Sequence, residues 1–275
     1  ISATVGSPKK IASLLVGVGR SCKIVYVPVA KRMKLEVRYP IPTKEDCDLA
    51  EQLYTFPEVA ARLREIRELI EQYKSALIFT NTRPTAEALG SRFKLWDFKI
   101  PVEVHHGSLS VVPRVRAERG LKLGELKAVV CTSSLELGID IGNIELCIQY
   151  GSPRQITRLI QRVGRSGHKI CEISNGVVIA QDPDDALESI VITKYAREEN
   201  LEEPEIFTNC LDVLSHFIAG LLILRPRWKL TDIYNMVKKS FSYKDFGIEQ
   251  LRNLVSFLSS LSQRFLIYYE DSKEI

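Results

Sequence analysis

Five short apolar runs recur along this chain: Ser75–Thr80, Val102–His105, Lys127–Cys131, Ile144–Tyr150 and Gly176–Ala180. Apart from Val102–His105 (VEVH), they do not alternate polar with apolar residues, as a half-exposed strand does, so they predict strands buried on both faces. Helical spacing fills the gaps between them. Val59, Leu63, Ile66, Leu69 and Ile70 share one helix face, Pro84 opens a second helix in a favoured first-turn position, a third starts near Val112, and a fourth spans Gln155–Val163. Strand and helix alternating in this way predict the α/β class: a parallel sheet with helices on both faces.

Ligands of such sheets gather at the carboxyl ends of the strands. Polar groups stand at four of those ends here: Thr80-Asn81-Thr82, His105-His106-Gly107, Thr132-Ser133-Ser134 and Gly151-Ser152. On the N-terminal side, a helix-like run at Pro8–Val18 and an apolar strand at Lys23–Val29 read as the tail of a preceding domain. An extended piece at Lys34–Tyr39 follows, then a proline-containing connection. After Asp182 the alternation stops. Leu211, Leu214, Phe217, Ile218 and Leu221 form one helix face, Thr231–Lys239 and Ile248–Leu261 are two further helices, and Phe265–Tyr269 is a strand. Three helices with a hairpin predict a winged helix. The expected divisions are therefore 1–30, 31–187 and 188–275.

The net charge of +4 neither demands nor excludes a nucleic-acid partner, because local clustering decides that question. The six cysteines include no CxxC pair, and Cys131 and Cys147 lie in apolar runs, which favours reduced thiols and a cytoplasmic compartment over a disulfide framework or a zinc site. The longest apolar stretch, ending at Leu221–Leu224, falls short of the ~20 residues a bilayer span needs.

The chemistry concentrates in two stretches. In Gln161–His168 (QRVGRSGH), Arg162 and Arg165 join Arg154 and Arg158 in a basic run that ends on Gly164 and Gly167. Arginine's planar fork matches phosphate oxygens, and the glycines suit close approach to a ligand. The competing reading is a solvated basic helix face. In Thr132–Asp140 (TSSLELGID), hydroxyls follow a buried strand, and Gly138 precedes Ile139-Asp140. Hydroxyls and N–H groups at a strand end bind phosphate well. Asp140 suits a ribose hydroxyl or, by default, an Asx turn or helix cap, and Glu136 reads as surface solvation.

Adjacent His105 and His106 point to opposite faces of a strand and lack companions at ligand spacing, so one packed and one exposed histidine is expected rather than zinc. Trp228 suits base stacking, but a core position is the stronger expectation. Arg225, Arg227, Lys229, Lys238 and Lys239 suit either a phosphate backbone or an ordinary soluble surface.

The motifs occur in an order that resembles superfamily 2 nucleic-acid helicases. Ile1-Ser2-Ala3-Thr4 resembles the SAT motif that closes their first lobe, Phe79–Arg83 motif IV, His106-Gly107-Ser108 the element after it, Thr132–Asp140 motif V and Gln161–His168 motif VI. Asn209–His216 and Ser240–Leu251 resemble the winged helix of the Lhr, or large helicase-related, family. Ski2-like helicases, which include RNA helicases, share the layout. No GxxxxGK[ST] loop and no DExH or DEAD box occurs, so the chain reads as a piece of a larger machine.

The resemblance implies a RecA-like second motor lobe followed by a winged helix, in an ATP-dependent 3′→5′ translocase on single-stranded DNA. ATP and Mg2+ would be held mainly by the first lobe. Arg165, with Arg162 and Gln161, would serve ATP hydrolysis, and Gly138 and Asp140 would face the nucleotide. Thr80, Asn81, His106, Gly107, Thr132 and Ser133 would hold the phosphates of the tracking strand, and Ser2 and Thr4 would couple the lobes. Superfamily members often carry an arginine where this chain has His168. The chain's partners would be the first lobe and single-stranded DNA, with RNA or a DNA–RNA hybrid as the alternative. The competing functions are an ATP-independent nucleic-acid binding or strand-annealing module, a Ski2-like RNA helicase, and an unrelated α/β ligand-binding protein.

Overall fold

A computed structural model describes residues 5–25, 32–96, 100–136, 141–167, 173–261, 266–269 and 271–275. The five apolar runs form the expected sheet, and the extended piece at Lys34–Tyr39 joins it as a sixth strand. Its strands are β1 (Met33–Arg38), β2 (Ala76–Phe79), β3 (Val102–His105), β4 (Ala128–Cys131), β5 (Leu146–Tyr150) and β6 (Ser174–Ile179). They lie in the order β1-β6-β5-β2-β4-β3, and every pairing is parallel.

Each central strand is buried on both sides because its successive side chains feed two different cores. Ala76 and Ile78 pack under α2 (Lys44–Gln52), α3 (Pro57–Gln72) and α4 (Arg83–Trp96). Leu77 and Phe79 pack under α5 (Val111–Leu123), α6 (Ile156–Val163) and α7 (Pro183–Arg197). Full burial of the larger of these side chains, Leu77, Ile78 and Phe79, contributes about 1.5–3 kcal/mol each. Gly176 of β6 lets α6 come close. A Cβ there would sit 2.5 Å from Val163 Cγ2 and 2.9 Å from Leu35 Cδ2.

Two helices lie where the sequence reading placed none. In α2, Thr43 and Asp46 close a capping box, and Asp46 also takes bonds from Arg64 Nε at 2.9 Å and Nη2 at 3.2 Å, tying α2 to α3. In α7, Asp182 caps Asp185 N–H and Pro183 fills the first turn. Over 23–25 the expected strand does not form, and the rest of that stretch, 26–29, lies outside the described residues.

The described residues fall into two compact units, one of 5–6 with 32–202, the other of 7–25 with 203–275. Two expected boundaries shift. Position 187/188 falls inside α7, and α1 (Pro8–Val16) groups with the C-terminal helices, not with a preceding domain.

The second unit is mostly helical, with α8 (Leu211–Leu224), α9 (Leu230–Val237) and α10 (Ile248–Leu261) around a core of Leu214, Ile218, Ile233, Phe246, Leu251 and Val255. Antiparallel bridges join Glu274 to Lys229 and to Tyr269, a minimal wing. Of the strand expected at Phe265–Tyr269, Phe265 lies outside the described residues and Tyr269 alone bridges. Trp228 is half-buried against this core and its indole N–H donates to Leu221 O at 2.9 Å, so it packs as expected.

Candidate nucleic-acid and nucleotide interface

Because every strand is parallel, their carboxyl ends share one edge of the sheet. Register puts Gln149, Phe79, Cys131 and His105 level across β5, β2, β4 and β3. The next residues of each strand form a polar row containing Ser152, Asn81, Ser133 and Gly107. Ser133 and Gly107 are exposed, and so is Asn81; Thr132 is half-buried. Thr80 departs from expectation. It is fully buried, and its hydroxyl donates to Thr82 O at 3.0 Å, which satisfies the strand end internally and offers nothing to a phosphate.

Behind the row lies a buried hub at Arg162 of α6. Its Nε donates to Glu136 Oε2 at 3.0 Å, and Nη1 donates to Gln149 Oε1 at 2.6 Å and to Asn81 Oδ1 at 3.2 Å. The guanidinium also lies over the Phe79 ring, 5.3 Å from its centroid. Burial pulls the Arg162 guanidinium below its usual value, and the Glu136 carboxylate opposes that pull. Asn81 completes the chain by donating from Nδ2 to Ser152 O at 2.7 Å. One arginine thus connects the ends of β2, β4 and β5 with α6.

Two expectations are corrected here. Glu136 is not a surface residue; it is buried as the partner of Arg162. Arg162, only 2% exposed with its bonds directed inward, has the setting of a structural hub and not of a group that reaches a ligand.

Arg165 stands differently. It follows the α6 terminus at Gly164 and is half-buried, and its Nε is closed off from solvent with no hydrogen-bond partner among the described residues. A donor so placed suits an anionic partner. Gln161 is half-buried on α6. Arg154 is exposed and paired with Glu188 at 2.5 Å.

The histidines are both buried, which corrects the expectation of one exposed ring. His105 Nε2 meets Glu118 Oε1 at 2.9 Å, with Nδ1 2.7 Å from Ser134 Oγ. His106 Nε2 meets Glu87 Oε1 at 2.7 Å, and its Nδ1 accepts from Ser108 N–H at 3.3 Å. Each ring thus turns its Nε2 to a carboxylate. His106 therefore braces the Gly107 turn and does not present a ring nitrogen outward. Among the described residues no group of three or more His, Cys, Asp or Glu could hold a metal ion. Ser2, Thr4, Gly138, Asp140 and His168 lie outside the described residues.

Sequence reasoning missed Arg62 and Glu202. Arg62 reaches from α3 to Tyr150 Oη at 3.0 Å and to Gln181 O at 2.6 Å, bracing the ends of β5 and β6. Its signal was an arginine on the apolar face of α3. Glu202 offered no local signal.

The helicase conserved C-terminal domain family matches residues 60–169. The chain is 37% identical over 261 residues to the ATP-dependent helicase Lhr-Core of Methanocaldococcus jannaschii, covering 94% of this chain and 30% of that protein. It is 32% identical to the Lhr helicase/probable uracil glycosylase of Mycolicibacterium smegmatis, covering 82% of this chain and 17% of that protein. The solved structure of Mycobacterium smegmatis helicase Lhr bound to ssDNA and AMP-PNP superposes with a TM-score of 0.85 at 30% identity, over 99% of this chain and 36% of that one. The DUF1998 helicase MrfA bound to DNA shares the fold at a TM-score of 0.57 and 18% identity. The chain thus spans about 30% of the length of the Lhr-Core relatives it matches.

Proposed function

Because this chain belongs to the Lhr family of superfamily 2 helicases, we propose that it is the second motor lobe and winged helix of an ATP-dependent helicase that moves 3′→5′ on single-stranded DNA. The observation that carries the reading is the buried Nε of Arg165, which has no partner among the described residues; the parallel strands supply polar ends along one edge of the same sheet.

Arg165 is the candidate arginine finger, and its orphaned donor fits a phosphate oxygen of ATP·Mg2+ held mainly by the first lobe. Bound ATP supplies the phosphoryl transfer that drives movement. Arg165 adds positive charge where negative charge develops. Gln161 lies on α6, the helix that leads to Arg165, and Gly138 and Asp140 remain assigned to the nucleotide side by motif alone. Arg162 holds α6 in register with the strand ends, so that a shift in one is felt by the other. Asn81, Gly107, Thr132 and Ser133 contact backbone phosphates of the strand, which fixes position without reading sequence. His106 supports that contact through the Gly107 turn, and Ser2 and Thr4 couple the lobes. No helix among the described residues is long and apolar enough to cross a membrane; we assign the protein to the cytoplasm. The Mycobacterium smegmatis relative holds ssDNA, which favours DNA over RNA or a DNA–RNA hybrid here.

The test is Arg165→Ala in the intact protein, with steady-state ATP turnover measured with and without ssDNA. Turnover should fall on the order of 10³-fold while affinity for a non-hydrolysable analogue stays near wild type. An unchanged turnover number removes Arg165 from catalysis, and DNA binding that never stimulates turnover supports an ATP-independent annealing module.

A further inference from the structure

The helix that leads to Arg165 is capped from a distance. At the N-cap of α6, Gln155 makes no capping bond with its side chain. Glu202 lays its carboxylate across the first turn instead. Its Oε1 accepts from Ile156 N–H, and its Oε2 accepts from Thr157 N–H at 3.1 Å and the Thr157 hydroxyl at 3.0 Å. A full negative charge thus meets the positive end of the helix dipole and satisfies donors that α6 itself cannot. Burial would raise the Glu202 carboxyl, but the Ile156 and Thr157 donors hold it below the usual range.

Glu202 is itself held in place. Its neighbour Leu201 packs against the core that α6 covers. On its other side runs Gly6, where a Cβ would collide with the Glu202 carbonyl oxygen and lie 3.1 Å from Leu201 O. Any side chain at position 6 must displace the backbone that carries the cap. Position 6 lies two residues past the segment that resembles the SAT motif.

We infer that Glu202 is a positioning residue for the arginine-bearing helix α6, and that the close approach of Gly6 seats it. One residue then ties the chain around residue 6, through its backbone, to the helix that aims Arg165, through its carboxylate. Tilting α6 at its first turn would displace Arg165 at its far end, and small displacements of a reacting group cost rate more than they cost binding. The inference rests on the reading of Arg165 proposed above.

The experiment compares wild type, Glu202→Gln, Gly6→Ala and the double variant in the intact protein. Glutamine keeps one acceptor oxygen and loses the second and the charge. Three quantities are read: kcat and KM for ATP with saturating ssDNA, and hydrogen exchange at the Ile156 and Thr157 amides. In Glu202→Gln, kcat should fall roughly ten-fold with KM within about two-fold, and both amides should exchange faster. Gly6→Ala should do the same, and the double variant should be no worse than the poorer single one, because both act on one contact. Wild-type protein without ATP turnover would sink the functional reading and this inference together. Wild-type turnover that Glu202→Gln leaves unchanged would sink the inference alone. Additive losses in the double variant would remove Gly6 from it.

Discussion

Arg162 Nε donates to Glu136 Oε2 at 3.0 Å across 26 positions of sequence, and both side chains are shut away from solvent. A charge pair so placed is costly to break from one side, since the remaining ion stays buried without its counterpart.

Glu136→Ala should therefore destabilise the first unit by about 3 kcal/mol or more. Chemical denaturation followed by circular dichroism measures it. A loss under ~0.5 kcal/mol, typical of an exposed site, would show that Glu136 is not the counter-ion of Arg162.

Arg162→Ala and Arg165→Ala should separate in kind. The first should lower the melting temperature and turnover together. The second should leave the melting temperature within a degree or two, because Arg165 Nε has no partner to lose among the described residues. Differential scanning fluorimetry beside the turnover assay makes the comparison. Equal melting losses would contradict the division of roles between them.

Gly176→Ala should wedge α6 from the sheet. The added methyl would meet Val163 Cγ2 and Leu35 Cδ2 at 2.5 and 2.9 Å. Overpacking of this kind costs about 1–3 kcal/mol, or several degrees in melting temperature. A melting temperature equal to wild type would mean that the helix yields freely.

Acid should unfasten α2 from α3. Burial alone would raise the Asp46 carboxyl, but bonds from Arg64 and Thr43 hold it below its ordinary value of 3.8. Its contribution is fully present above that value and is lost as pH falls through the lower folded value. Asp46→Asn should thus be less stable than wild type at pH 6, by about 1 kcal/mol, with the gap closing towards pH 2. Urea midpoints at the two pH values test it; a gap that widens in acid reverses the sign.

Single-stranded DNA should bind the intact protein with affinity that falls linearly in log salt, by ~0.7 per phosphate contacted. Thr132→Val should weaken binding equally across base sequences, which anisotropy titrations on homopolymers would reveal. A loss confined to one base would point to base readout.

The sheet was legible in the sequence because a strand buried on both faces leaves an unbroken apolar run, as in Ala76–Phe79 and Ala128–Cys131. The capping residues Thr43 and Asp182 announce α2 and α7, yet the proline-rich and polar surroundings hid both helices. Arg162 and Glu136 were misread for a different reason. A basic helix face and an acidic turn look solvated when read locally, and their burial arises only when β5 and α6 bring them together. Glu202 was beyond reach because its partners lie 45 or more positions away and no local pattern marks a distant cap. Arg165 was singled out by its place in the motif, and its buried Nε without a partner among the described residues is a fact of packing that no spacing rule contains.

A parallel sheet is also a ruler. Neighbouring strands stand about 4.8 Å apart, so the four ends on β5, β2, β4 and β3 mark out roughly 14 Å. Along that ruler the residues run Ser152, Asn81, Ser133, Gly107, whereas the chain lists them as 81, 107, 133, 152. A mutational scan plotted against residue number would scatter neighbours and join strangers. Plotted against strand position, the same data would read as a footprint, with adjacent marks touching adjacent units of whatever lies along the edge.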